Sequence, residues 1–155
     1  MANTYTQIYI QIVFAVKGRQ SLISARWKDE LYKYITGIIT NEGQKLIAIN
    51  GMPDHIHIFI GLKPNKALSD LVRDIKANSS KFINQQQWLA GKFEWQEGFG
   101  AFSYSRSQLG NVVRYIDNQE EHHRKKTFKE EYLEFLKLYD VDFQPAFVFD
   151  EVSQT

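Results

Sequence analysis

The chain of 155 residues contains no cysteine, which excludes a disulfide framework, a thiolate zinc site and a cysteine nucleophile together. It has three prolines and nine thinly spread glycines, so neither a linker nor a second domain can be marked. No repeat of fixed period and no low-complexity segment is present. No apolar run approaches the roughly 20 residues needed to cross a bilayer. The opening stretch, MANTYTQIYI, lacks a basic region leading into an apolar one, so a cytoplasmic protein without a membrane partner is expected. Neither sign of charge dominates, with 19 Lys and Arg against 18 Asp and Glu, and bulk charge therefore names no polyanionic partner. What is present suffices for one folded domain, since 43% of the residues are hydrophobic and 14% aromatic. The four histidines are grouped as two close pairs, His55 with His57 and His122 with His123.

Near-neutrality is the sum of unlike parts. From Glu134 onward five acids (Glu134, Asp140, Asp142, Asp150 and Glu151) meet one base, Lys137, a balance of −4 that leaves +5 for residues 1–133. A basic body with an acidic tail reopens the question of a nucleic-acid partner. We expect one domain over 1–138 followed by an acidic C-terminal tail, 139–155.

Periodicity separates the elements. Tyr5 to Val16 alternates and is rich in β-branched and aromatic residues, which predicts a strand. Ser24 to Glu42 carries apolar residues at helical spacing, with Ser24 as N-cap and Gly43 as the stop. Lys45 to Asn50 and His55 to Leu62 read as strands around the turn 51–54. A helix is expected from Ser69 to about Trp88, then a strand over Lys92 to Ser105 bent at Gly98 and Gly100. Helices over Gln108 to His123 and Phe128 to Leu138 follow. The order β-α-β-β-α-β is the ferredoxin-like arrangement of the α+β class, an antiparallel sheet with helices on one face. RNA-recognition modules share this layout and use the other face for ligand.

Residues two apart in a strand point to the same side, so His55 and His57 share one face while Ile56, Ile58 and Ile60 enter the core. Two adjacent imidazoles can hold one metal ion, and their softness suits Mn, Zn, Co or Ni better than Mg. Two ligands are too few, and a third must come from elsewhere. Taken alone, the pair reads first as two polar residues on the solvated side of a half-buried strand. The segment Arg114-Tyr115-Ile116-Asp117-Asn118-Gln119 changes that balance. On a helix Tyr115 and Gln119 share a face. A helix laid across the open sheet would bring a carboxamide oxygen to the metal and a phenol beside it. Tyrosine is a covalent catalyst when position, base or metal activates it.

Four segments then carry a resemblance: Ile8 to Phe14, Met52-Pro53-Asp54-His55-Ile56-His57-Ile58, Gly98 to Phe102, and Tyr115 to Gln119. Through them the chain resembles the single-tyrosine, HUH-type transposases of bacterial insertion sequences, including the REP-associated tyrosine transposases, over most of its length to about Leu138. The resemblance implies that His55, His57 and Gln119 hold a divalent cation, Mg or Mn, which polarises the scissile phosphate. It implies that Tyr115 attacks phosphorus, releases a 3′-hydroxyl and keeps a 5′-phosphotyrosine link that a second DNA end can reverse. It also implies single-stranded DNA with hairpin ends as substrate, a homodimer, and no organic cofactor.

Phosphate contacts are expected from Lys17, Arg19, Arg26 and Lys28 after the first strand, and from Arg106, Arg114, Arg124, Lys125 and Lys126 around the tyrosine helix. Among the aromatics Phe93, Trp95, Phe99, Phe102 and Tyr104, some could stack bases, with most assigned to the core. His122 and His123 read as helix-end cations rather than ligands. Two other functions compete with cutting and rejoining DNA. One is a ferredoxin-like hairpin-binding protein without cleavage. The other is a histidine phosphodiesterase with paired His-x-Thr/Ser motifs, disfavoured because only one His-x-His occurs.

Overall fold

A computed structural model describes residues 4–123 and 126–139. Strands β1 (Tyr9–Ala15), β2 (Lys45–Met52), β3 (His55–Gly61) and β4 (Gly100–Tyr104) form one antiparallel sheet in the order β2-β3-β1-β4. Helices α1 (Lys28–Asn41) and α2 (Leu68–Gln86) connect the strands, and α3 (Leu109–Asp117), α4 (Gln119–His123) and α5 (Phe128–Leu138) follow β4. This is the expected ferredoxin-like connectivity. No helix among the described residues is long and apolar enough to cross a membrane.

The alternation of β1 and β3 divides the interior. Ile12, Phe14, Ile56, Ile58 and Ile60 face α1 and α2, meeting Leu31, Ile35, Ile39, Leu71, Ile75 and Ile83 in the main core. Burying a side chain of this size stabilises by about 1.5–3 kcal/mol. The opposite face of the sheet is also covered: α3, the tyrosine helix expected across the open sheet, lies there, and α5, which the sequence reading had not placed, joins it. There Val13, Ala15 and Phe102 pack on Phe128 and Leu136 of α5, and Ala48 and Phe59 pack on Val112 and Ile116 of α3.

Several boundaries differ from the sequence reading, and α1 begins at Lys28 with Trp27 rather than Ser24 at its N-cap. The stretch from Lys92 forms a strand only from Gly100; upstream, Trp95 makes one bridge to Val16, and Gly98 takes φ +84, a left-handed conformation that interrupts pairing. The long helix expected over 108–123 breaks at Asn118, because the Asn50 side-chain amide of β2 donates to the carbonyls of Ile116 (2.9 Å) and Asp117 (3.3 Å) and ends α3 there. The first strand begins at Tyr9 instead of Tyr5. Residues 140–155, most of the acidic tail, lie outside the described residues.

Strands β2 and β3 meet in a tight hairpin where backbones approach closely. A Cβ built on Gly51 would lie 2.3 Å from the backbone oxygen of His55, an impossible contact that only backbone movement relieves. Gly51→Ala is expected to cost about 1–3 kcal/mol of stability. A lowered midpoint in urea denaturation checks this, and an unchanged midpoint would contradict it.

Candidate active site

The alternation that sends three isoleucines into the main core turns His55 and His57 to the other face. The C-terminal helices cover that face, so both imidazoles have no solvent exposure. This corrects the reading of the pair as residues on a solvated side. Register places His57 opposite Val13 and His55 opposite Ala15, at the hairpin end of the sheet.

Buried imidazoles need partners for both ring nitrogens. His57 Nδ1 donates to Gln11 Oε1 at 2.7 Å, while Gln11 Nε2 donates to the Tyr104 hydroxyl at 2.9 Å. His55 Nδ1 donates to the Asp54 carboxylate at 2.7 Å. With Nδ1 protonated toward these outer acceptors, the tautomer in which histidines ligate metals, both rings turn Nε2 inward as a lone pair. What those nitrogens face is again an acceptor. His55 Nε2 lies 3.3 Å from Gln119 Oε1, whose amide nitrogen is turned away to the Tyr115 carbonyl at 3.4 Å. His57 Nε2 lies 2.7 Å from Glu131 Oε1.

A lone pair directed at a carbonyl or carboxylate oxygen is repulsive unless a cation lies between them. The donors thus fit a divalent metal, with two imidazoles fixed by outer acceptors, as metal-ligating histidines are. His123 Nε2 closes the group, 2.7 Å from Glu131 Oε2 and 3.1 Å from Gln119 Oε1. The ligand atoms of His55, His57, His123 and Glu131 lie within 4.8 Å of one another.

Electrostatics bear on the charges within the group. Burial pushes His57 down to about 4, against the pull of Glu131, so its ring is neutral near pH 7. Burial lowers His123 too, but there the Glu131 carboxylate outweighs it and raises the imidazole above its ordinary value. Burial would raise Glu131, yet its contacts with His123 and His57 hold it well below the usual carboxylate range.

Tyr115 lies at the edge of the cluster, its ring centroid 5.9 Å from that of His57. Burial, with the Glu131 carboxylate adding to it, holds the phenol well above its ordinary value. It stays protonated at neutral pH with these neighbours, and added positive charge is what would lower it. Beside it opens a cavity of about 560 Å³ whose walls include Gln11, Tyr104, Asn111, Phe135 and Tyr139.

The structure thus brings together His55, His57, Tyr115 and Gln119 within one chain. Sequence reasoning missed Glu131 and placed His123 outside the cluster. Both left a trace. Glu131 is the acid on the inward stripe of α5 between Phe128 and Phe135, and Gln11 is a polar residue on an otherwise apolar buried strand. Of the expected phosphate contacts, Lys17 is exposed and pairs with Glu94 at 3.1 Å, and Arg106 and Arg114 are exposed on and beside α3. Lys17 and Arg19 follow β1 at the end where Ala15 pairs with His55. Arg124 and Lys125 lie outside the described residues, as does the side chain of His122. Phe93, Trp95 and Phe102 are core residues, whereas Tyr104 lines the cavity.

The tautomer assignment is testable in metal-free protein. Long-range nitrogen–proton NMR of the imidazoles is expected to show His57 neutral at pH 6 with its proton on Nδ1, and Gln11→Leu is expected to mix the tautomers. A protonated His57 ring at that pH would contradict the assignment.

The chain is similar to known proteins over most of its length. The chain is 23% identical over 118 residues to the ISDra2 transposase TnpA of Deinococcus radiodurans, an alignment covering 73% of this chain and 84% of that protein. Its fold resembles a crystal structure described as a transposase from Deinococcus radiodurans R1, with TM-score 0.60, 23% identity, and coverage of 77% of this chain and 95% of the other. It also resembles the structure of a REP-associated tyrosine transposase bound to a REP hairpin, with TM-score 0.61, 16% identity, and coverage of 100% and 93%. The model of the IS200-like transposases matches residues 4–119, from before β1 to the buried glutamine, and the chain belongs to that family.

Proposed function

We propose that this transposase cuts and rejoins single-stranded DNA at hairpin-marked ends, with Tyr115 as the nucleophile. The observation that carries the proposal is the placement of Tyr115 at the rim of a buried His55–His57–Gln119 cluster whose lone pairs converge. His55, His57 and Gln119 would hold Mg or Mn, which when bound supplies Lewis acidity to a nonbridging phosphate oxygen. The Tyr115 Oη–P bond forms as the P–O3′ bond breaks. The phenol loses a proton and the freed 3′-oxygen takes one up, so the step is proton-neutral. The bond energy stays in the 5′-phosphotyrosine ester, and attack by a 3′-hydroxyl reverses the step.

Substrate binding follows from the surroundings. Lys17, Arg19, Arg106 and Arg114 are cationic groups suited to phosphates on a strand entering beside α3. The cavity next to Tyr115, walled by Tyr104, Phe135 and Tyr139, has room and aromatic surface for an unpaired nucleotide flanking the scissile bond. A hairpin as the mark is supported by the fold shared with the REP-associated transposase over this chain's whole length. The homodimer belongs to the same reading, each chain carrying its own tyrosine beside its own histidine pair.

Incubation with a single-stranded hairpin oligonucleotide and Mn is expected to yield a protein–DNA band that resists denaturant. Tyr115→Phe is expected to abolish it while hairpin affinity changes less than about twofold. A band that persists in Tyr115→Phe, or never forms with the wild type, would sink the proposal.

A further inference from the structure

The match to the family ends at Gln119, yet a carboxylate in the centre of the site comes from α5, beyond that boundary. Glu131 is 2% exposed, and its two oxygens lie 2.7 Å from His57 Nε2 and 2.7 Å from His123 Nε2. Its position is built rather than incidental. Thr127 caps α5, accepting from the Glu130 backbone N–H at 3.2 Å, and Phe128 stacks on the His55 ring with centroids 4.0 Å apart. Those two contacts set the rotation of the helix, and the next inward position is Glu131.

The remaining donors explain why a carboxylate belongs there. His55, His57 and Gln119 are all neutral, so a divalent ion held by them alone would keep its full charge in a buried site. Mg and Mn also take oxygen ligands by preference, whereas two imidazoles lean toward softer ions. An anionic oxygen answers both problems. We infer that Glu131 is a ligand of the same metal ion as His55, His57 and Gln119, and that the ion thereby fastens α5 over the sheet. Apart from it α5 rests on the apolar cluster of Val13, Ala15, Phe102, Phe128 and Leu136, with Tyr104, Tyr132, Leu133, Phe135 and Tyr139 packed against it. Loading of the metal and docking of the helix that walls the cavity beside Tyr115 are then one event.

This inference rests on the metal reading of the histidine pair, and the experiment separates the two. Mn(II) binding by the full chain is measured by electron paramagnetic resonance titration for wild type, Glu131→Gln, Glu131→Asp and His57→Ala. Amide hydrogen exchange across α5 is followed with and without Mn. Glu131→Gln is expected to weaken Mn binding by about tenfold or more, Glu131→Asp to recover part of that loss, and Mn to slow exchange in α5 of the wild type but not of Glu131→Gln. Mn affinity in Glu131→Gln within twofold of wild type, or higher, with binding lost in His57→Ala, would overturn the role of Glu131 and leave the histidine pair standing. Absence of Mn binding by the wild type would overturn both.

Discussion

Two buried ring nitrogens that face oxygen acceptors set the terms for the second half of this molecule. His55 and His57 spend their Nδ1 protons on Asp54 and Gln11, which leaves their Nε2 lone pairs pointing into a space walled by Gln119 and Glu131. Closing such a group away from water is costly unless positive charge balances it. His123 lies against Glu131, whose carboxylate raises that imidazole above its ordinary value, and a divalent cation would supply positive charge to the group. Elements that have no contact in sequence converge on this one requirement: β1 through Gln11, the β2–β3 hairpin through Asp54, the short α4 through Gln119 and His123, and α5 through Glu131.

The two faces of the sheet consequently do different work. Toward α1 and α2 the interior is continuous and apolar, and it supplies most of the burial that holds the domain together. Toward α3, α4 and α5 the apolar contacts form two smaller clusters, with the polar group lying between them. Elements held by few buried apolar contacts open more readily than those in a continuous core. Tyr115 sits on this second face, beside the cavity that α5 walls with Phe135.

Family and geometry answer different questions. The match over residues 4–119 establishes a transposase of the IS200-like family and includes His55, His57, Tyr115 and Gln119. It stops short of α5, which covers the histidines, stacks Phe128 on His55 and walls the cavity beside the tyrosine with Phe135. The structural likeness to the REP-associated transposase covers this chain in full, so α5 falls within a shared fold.

Much of the fold was legible in the chain because it depends on local periodicity. Alternation in Tyr9–Ala15 and His55–Gly61, helical spacing in α1, α2 and α5, and turn chemistry at 51–54 are properties of neighbouring residues, and together they yield the element order. The shared face of His55 and His57 follows from the same period, whereas Tyr115 and Gln119, read on one helix, lie in α3 and α4 on either side of the break at Asn118. The break at Asn118 was not legible, since the group that ends α3 is Asn50, a residue from another strand. Nor was the burial of the histidines, because a strand does not specify what lies across its second face. Glu131 and His123 became part of the site only when α5 docked there. An ion pair or a ligand set made by residues far apart in the chain depends on distances of a few ångströms, and only the packing of whole elements decides those.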